Sequence, residues 1–169
     1  MKSKTVHFGL LLAALSLTSH GLFAEEEASA QLGKAADNKI YAQKLVNDLM
    51  AHHSDLLVVG IHATAPGSTQ SKMIASNLDR IGKKDDDDDV AVATEHKTIL
   101  APNMKESNKF EVQVPLKDAS GTTLIAAAGL VFKYKSGDDE IKLHQKALSI
   151  RDELAKKTPT LSALFEKTD

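Results

Sequence analysis

The first half of the chain has two successive hydrophobic periods. Between Asp37 and His53 apolar residues recur every three or four positions, as Leu45, Val46 and Leu49 show, and this spacing predicts a helix over that range. The next run, SDLLVVGIHATAP, is apolar on both of its faces and is closed by a Pro-Gly pair. It predicts a central strand that is covered on both sides.

The following segment, STQSKMIASNLDRIGKK, fits two periods. Ile74, Leu78 and Ile81 have helical spacing, whereas Ile74, Ser76 and Leu78 alternate as a strand does. The PGSTQ connection before it is typical of a hairpin, and it favours the strand.

The clearest pattern predicts an antiparallel hairpin. Phe110, Val112 and Val114 alternate with polar residues, KDASG supplies a turn, and residues 122–135 return as a long strand. Residues 126–129, AAAG, are small on both faces of that strand. A helix or a ligand is therefore expected to lie close against it.

The end of the chain predicts a second long helix. Apolar positions set one face from about Asp139 to Lys156, and Pro159 ends the pattern. Thr160 is then placed to cap a short last helix that contains Leu164 and Phe165.

The stretch KKDDDDDV raises the question of a cation site. An EF-hand loop that began at Asp85 would have acids at Asp87 and Asp89, but Val90 would stand in place of its glycine and His96 in place of its glutamate. The run therefore predicts the acidic first turn of a helix over residues 87–96, where free amides and the helix dipole favour carboxylates. A weak surface cation site is the alternative.

Residues 1–24, MKSKTVHFGLLLAALSLTSHGLFA, have the layout of a secretory signal peptide, with a basic start, an apolar run and a small residue before EEE. The apolar run is shorter than the ~20 residues of a spanning helix, which disfavours a membrane anchor. Residues 25–36 are expected to be a flexible leader and residues 37–169 a single domain. A periplasmic or secreted location follows.

Composition excludes several kinds of chemistry. The chain has no cysteine, so disulfides, thiolate nucleophiles and Cys-ligated metals are ruled out. The net charge of −2 gives no sign of a nucleic-acid surface. No HExxH, GxSxG or phosphate-loop motif occurs. We therefore predict no catalytic activity, cofactor or metal.

The element order, together with the hairpin sequence DASGTTLIAAAGLVF, resembles the single Cache domain, a PAS-like extracytoplasmic ligand-sensing module. Asp118 and Gly121 match that family's turn between strands four and five, and residues 125–129 match its small-residue strand. The chain is also similar to small stand-alone exported Cache-like proteins, through the segment ASNLDRIGKK and the pair Pro115-Leu116. The resemblance covers about residues 37–156.

The resemblance implies an α+β fold in which a PAS/Cache-like antiparallel sheet is flanked by a long N-terminal helix and a C-terminal helix. The chain departs from the amino-acid-binding members, which use an Arg-x-Trp pair, because it has no tryptophan. No membrane helix or signalling module follows the matched region, so a complete receptor is not expected.

The same resemblance implies a pocket between the sheet and the segment that runs from strand two through the acidic helix. Six polar residues are candidates for ligand binding there: His62, Ser76, Asn77, Arg80, Lys133 and Tyr134. Arg80 is the expected partner of a carboxylate, because its guanidinium forms a bidentate fork. The predicted function is an exported, sensor-like protein that binds an organic acid and has no membrane contact after signal cleavage.

Two other function classes stay open at the sequence level. One is a structural or protein-interaction module with a protein partner, or a homodimer formed through the first helix by Tyr41, Leu45 and Met50. The other is an enzyme on a cone-shaped α+β fold such as that of nuclear transport factor 2, with Asp118 and His62 as its acid and base.

Overall fold

The computed structural model describes residues 32–102 and 108–168. The predicted signal peptide and residues 25–31 of the predicted leader lie outside the described residues. Within the described ranges, no helix has the length and apolar character needed to cross a membrane.

Five antiparallel strands form one sheet in the order β2-β1-β5-β4-β3. The predicted central strand, the strand after it and the hairpin are all confirmed. The edge strand β3 was not predicted, because four residues are too few for an alternating pattern to be recognised. The bounds are β1 Leu56–Thr64, β2 Ser71–Ser76, β3 Ile99–Pro102, β4 Lys109–Lys117 and β5 Thr123–Lys133.

In the described ranges, three α-helices accompany the sheet: α1 Tyr41–His52, α2 Asp87–Glu95 and α3 Glu140–Lys157. Short 3-10 turns cover Ala35–Asp37 and Ser162–Phe165. The α+β class and the C-terminal helix are confirmed.

The long N-terminal helix is not confirmed. Ile40 is extended and pairs with Lys167 in an isolated β-bridge, so the chain becomes helical only at Tyr41. The helix therefore has 12 residues rather than the predicted span from Asp37 to His53.

The hydrophobic core lies on one face of the sheet, beneath α1 and α3. Alternate strand residues point to this face, including Ile61 of β1 and Phe110 and Phe132 of β4 and β5, and none of these three has exposed surface. Leu45 of α1 and Ile150 of α3 pack against them. Burial of each large apolar side chain stabilises the fold by about 1.5–3 kcal/mol.

The residues that were considered for dimerisation through the first helix contact this core. Leu45 is buried, and the half-buried Tyr41 and Met50 pack against the core cluster. The Tyr41 hydroxyl also donates to the carbonyl of Lys157, at 2.8 Å. The apolar side of α1 thus stabilises the domain itself, and dimerisation stays a prediction.

Candidate functional site

The opposite face of the sheet carries a cleft of about 350 Å³. Helix α2 covers one end of this face, where Val92 and Ala93 pack on the small side chain of Ala127 in β5. This confirms that a helix lies against the small-residue strand. Two residues further along β5, Gly129 lies on the floor of the cleft rather than under the helix.

His62 of β1 is a buried titratable group that lines the cleft. Its Nδ1 lies 2.7 Å from Oδ1 of Asp85, a distance typical of a charge-assisted hydrogen bond. The other oxygen of Asp85 accepts a hydrogen bond from the Ser71 hydroxyl at 2.6 Å. Asp85 is thereby fixed between β2 and β1, and it orients the imidazole.

The aspartate run begins a helix, as predicted, and it also contributes side chains to the cleft. Asp86 and Asp89 form a reciprocal capping box, in which each side chain accepts from the other residue's backbone N–H. Asp87 and Asp88 are exposed, whereas Asp85 and Asp89 are buried. Two of the five carboxylates therefore turn inward toward the sheet.

Asp89 joins His62 to the polar face of β4. Its Oδ2 lies 3.6 Å from Nδ1 of His62, and its Oδ1 accepts a hydrogen bond of 3.1 Å from the Gln113 amide. The same amide nitrogen lies 3.4 Å from Oε1 of Glu111. In the described part of the chain, Oε1 of Gln113 is a buried acceptor without a hydrogen-bond partner.

The charges of the cluster shift two pKa values in the same direction. Burial alone lowers the pKa of His62, but the hydrogen bond to Asp85 and the charges of Asp85, Asp89 and Glu111 together raise it above its ordinary value. Burial is the main cause that raises the pKa of Asp89. The positive charge of His62 opposes this increase, and Asp86 and Asp85 add to it.

A metal ion is one alternative occupant of this cluster. His62, Asp85 and Asp89 each offer a ligand atom, and these atoms lie within 4.8 Å of one another. Nitrogen and carboxylate ligands suit Zn²⁺ and related ions. However, a proton on Nδ1 satisfies the 2.7 Å contact to Asp85 equally well. The contact between His62 and Asp85 is therefore explained without a metal ion.

The structure brings three of the six predicted ligand-binding residues to the cleft: His62, Ser76 and Arg80. Ser76 is fully buried, and its hydroxyl accepts from the backbone N–H of Leu78 at 3.1 Å. Arg80 is exposed at the rim. Ligand binding by these three residues stays a prediction.

The other three predicted residues do not line the cleft. The Asn77 side chain accepts from the N–H of Val59 and donates to the carbonyl of Leu57. It therefore continues the hydrogen bonding to β1 just beyond the end of β2. Lys133 donates to the carbonyl of Ser54. The Tyr134 hydroxyl donates to Glu140, and its ring packs 5.4 Å from that of Phe110, on the core side.

Asp118, the acid considered for an enzymatic pair with His62, lies in the exposed turn between β4 and β5. Its Oδ1 accepts from the backbone N–H groups of Ser120 and Thr122 and from the Ser120 hydroxyl. These bonds lower its pKa, with the Ser120 hydroxyl as the largest cause. Asp118 does not line the cleft, and the carboxylate hydrogen-bonded to His62 is that of Asp85.

Sequence reasoning did not assign several cleft residues to the ligand site, namely Lys83, Asp86, Asp89, Lys109, Glu111 and Gln113. It also did not identify Asp85 as the partner of His62. One signal was available: the polar positions of β4 alternate with buried ones, so they share the sheet face of Gly129. For the aspartates the helix-start interpretation was sufficient by itself, and it concealed their inward orientation.

No family model matches this chain, and no curated protein matches it closely in sequence. Several solved structures are similar to this chain, and they include the following three. The repressor BlcR of Agobacterium tumefaciens has a TM-score of 0.48 at 13% identity, over 83% of each chain. A GAF domain structure has a TM-score of 0.48 at 15% identity, over 75% of this chain and 81% of that one.

A protein of Burkholderia vietnamiensis described as a GAF sensor has a TM-score of 0.43 at 17% identity, over 85% of this chain and 97% of that one. At these identities and TM-scores the likeness assigns neither family nor ligand. None of these comparisons is specific to the Cache family, and that resemblance stays a prediction.

Proposed function

We propose that this protein is an exported, non-enzymatic binding protein that holds a small organic acid in the cleft. The observation that carries the proposal is the turn at residues 80–83, which presents Arg80 and Lys83 to the cleft. Arginine recognises carboxylates through two parallel hydrogen bonds, and a neighbouring lysine adds positive charge.

The turn that bears these cations is held rigidly. The N–H of Lys83 donates to the carbonyl of Arg80 at 3.1 Å, and Gly82 between them has a φ of 91°, which favours glycine. Met73 of β2 exchanges two backbone hydrogen bonds with this turn, through Gly82 at 2.8 Å and Lys83 at 2.9 Å. The two cations therefore start from a backbone that is anchored to the sheet.

The size of the cleft sets the size of the ligand. A volume of about 350 Å³ lies at the small end of the range for ligand pockets. The cleft also contains the carboxylates of Asp86, Asp89 and Glu111. A small acid that carries a further polar group can use both signs of charge.

The arrangement of hydrogen bonds around His62 supports a binding role rather than a catalytic one. A serine nucleophile needs its hydroxyl on the histidine, whereas the Ser71 hydroxyl donates to Asp85 on the far side from the imidazole. The Ser76 hydroxyl accepts from the Leu78 N–H instead. Neither of these serines is therefore arranged for activation by His62.

The test is calorimetric titration of the protein with short mono- and dicarboxylates, with Arg80→Gln as the variant. Loss of a charge-assisted contact is expected to weaken carboxylate binding about tenfold or more. Arg151→Gln is the matched control, because Arg151 lies on α3 and does not line the cleft. A saturating acid at one hundred times its dissociation constant should also stabilise the fold by about 2.7 kcal/mol.

Equal binding of every acid by the Arg80→Gln variant and by the native protein would contradict the assignment of the carboxylate to Arg80. Absence of binding by any carboxylate would contradict the organic-acid proposal itself.

A further inference from the structure

A pair of glycines leaves the floor of the cleft without side chains. Gly60 of β1 and Gly129 of β5 are direct cross-strand partners, and both line the cleft. A Cβ at residue 60 would lie 3.1 Å from Nε2 of His62 and 3.3 Å from Cε of Met73. A Cβ at residue 129 would lie 3.2 Å from Oε1 of Glu111. A side chain at residue 60 would crowd His62 and Met73, and one at residue 129 would crowd Glu111.

Two polar groups border this gap. Asp85 engages Nδ1 of His62, so Nε2 is the ring nitrogen that faces the glycines. The point where a residue-129 Cβ would stand is 4.0 Å from Nε2 and 3.2 Å from Oε1 of Glu111. His62 and Glu111 therefore approach the same side of Gly129, and all three residues line the cleft. A ligand atom that rests on Gly129 lies beside both polar groups and can be placed to contact each of them.

The hydrogen-bonding properties of His62 and Glu111 determine which ligand group fits between them. Glu111 can only accept a hydrogen bond, whereas a protonated imidazole donates from Nε2. The carboxylates of Asp85, Asp89 and Glu111 all favour the protonated form of His62 and raise its pKa against the effect of burial. A hydroxyl group satisfies both partners, because it accepts from Nε2 and donates to the carboxylate. An ammonium group would instead face a second cation.

We propose that the gap over Gly60 and Gly129 is a subsite for a ligand hydroxyl, so that the cleft prefers hydroxy acids to the corresponding deoxy acids. This inference rests on the proposed function, in which Arg80 and Lys83 bind the carboxylate of the same ligand. His62 and Glu111 then form hydrogen bonds with the hydroxyl, and the absence of side chains at the two glycines lets the ligand approach the sheet.

The experiment compares two matched pairs of probes by calorimetry: lactate with propanoate, and malate with succinate. The native protein is expected to bind each hydroxy acid about tenfold more tightly than its partner. Glu111→Gln and Gly129→Ala are expected to abolish this preference and to retain the affinity for the deoxy acid. Glu95→Gln is the matched control, because Glu95 is exposed at the end of α2 and does not line the cleft.

Thermal unfolding of each variant establishes that it is folded before titration. The hydroxyl subsite is overturned if both members of a pair bind the native protein equally, or if Glu111→Gln weakens both equally. In those cases a loss of affinity in Arg80→Gln would leave the organic-acid proposal intact. If none of the four acids binds the native protein, both proposals are overturned.

Discussion

The two faces of the sheet use the same strands in opposite ways. On the core face, Phe110, Phe132 and their neighbours are apolar and fully covered by α1 and α3. On the cleft face, the residues beside them in sequence include Glu111 and Val131, and α2 covers only one end. Because strand side chains alternate, one set of strands can provide a dry core and a charged cleft. The comparison shows how stability and binding are separated within single strands.

The cleft face is also where charge is buried. His62, Asp85 and Asp89 are each at most 8% exposed, and burial of such groups is costly unless the charges are paired. They are held by the contacts to one another, to Ser71 and to Gln113. The core face is stabilised by buried apolar surface, whereas the cleft face depends on hydrogen bonds and charge pairing between its buried groups.

The largest expected difference between the faces comes from two adjacent residues of β5. Phe132→Ala should lower the free energy of unfolding by about 3–5 kcal/mol, because it leaves a cavity in the core. Val131→Ala, on the half-buried cleft face, should cost only about 1 kcal/mol. Urea unfolding of both variants measures the difference. Equal losses in the two variants would show that the two faces contribute equally to the free energy of unfolding.

A smaller effect separates structural residues from binding ones. Asn77→Ala should lower the free energy of unfolding by about 1–3 kcal/mol, because the N–H of Val59 and the carbonyl of Leu57 lose their partner. Lys133→Ala, at an exposed site, should stay within about 0.5 kcal/mol. Neither variant should change the affinity for carboxylates. A selective loss of affinity in Asn77→Ala would return that residue to the binding site.

The most subtle difference is the pH dependence of stability. The pKa of His62 is raised in the folded state, so its contribution is fully present below its ordinary value of 6.5 and is lost as pH rises through the folded-state pKa. The raised pKa of Asp89 acts in the same direction, from its ordinary value of 3.8 upward. Stability should therefore fall with rising pH near neutrality.

His62→Gln should flatten this dependence, by up to about 1.4 kcal/mol per pH unit where His62 titrates only in the folded state. Urea unfolding between pH 5 and 8 measures the slope. His144→Gln is the control, because His144 lies on α3 and does not line the cleft. An unchanged slope in His62→Gln would mean that His62 is not the titrating group.

Local patterns were sufficient for most of the fold. The alternation of β4 and the turn at Asp118 and Gly121 predicted the hairpin, and the acidic first turn predicted α2. The long first helix was overestimated, because apolar spacing continues through Ile40 although that residue pairs with Lys167. A contact between residues so far apart in sequence leaves no periodic signal.

The cleft was predictable only in part. Arg80 and His62 stood out by residue type, whereas Asp85 and Glu111 did not, because a carboxylate in an acidic helix start or on a strand is equally compatible with solvent. Gly129 belonged to the small-residue stretch that was expected to lie against a helix or a ligand, whereas Gly60 had no separate signal. Their pairing depends on the register of β1 and β5.

By itself, the sequence determined most of the helices and strands, the apolar side of β4, and that no cysteine chemistry occurs. These properties follow from the local period and from residue type. Only the tertiary structure decided that Asp85 meets His62 and that Gly60 faces Gly129. The physical reason is that strand order and register bring together residues tens of positions apart, and these contacts, rather than any local pattern, create the cleft.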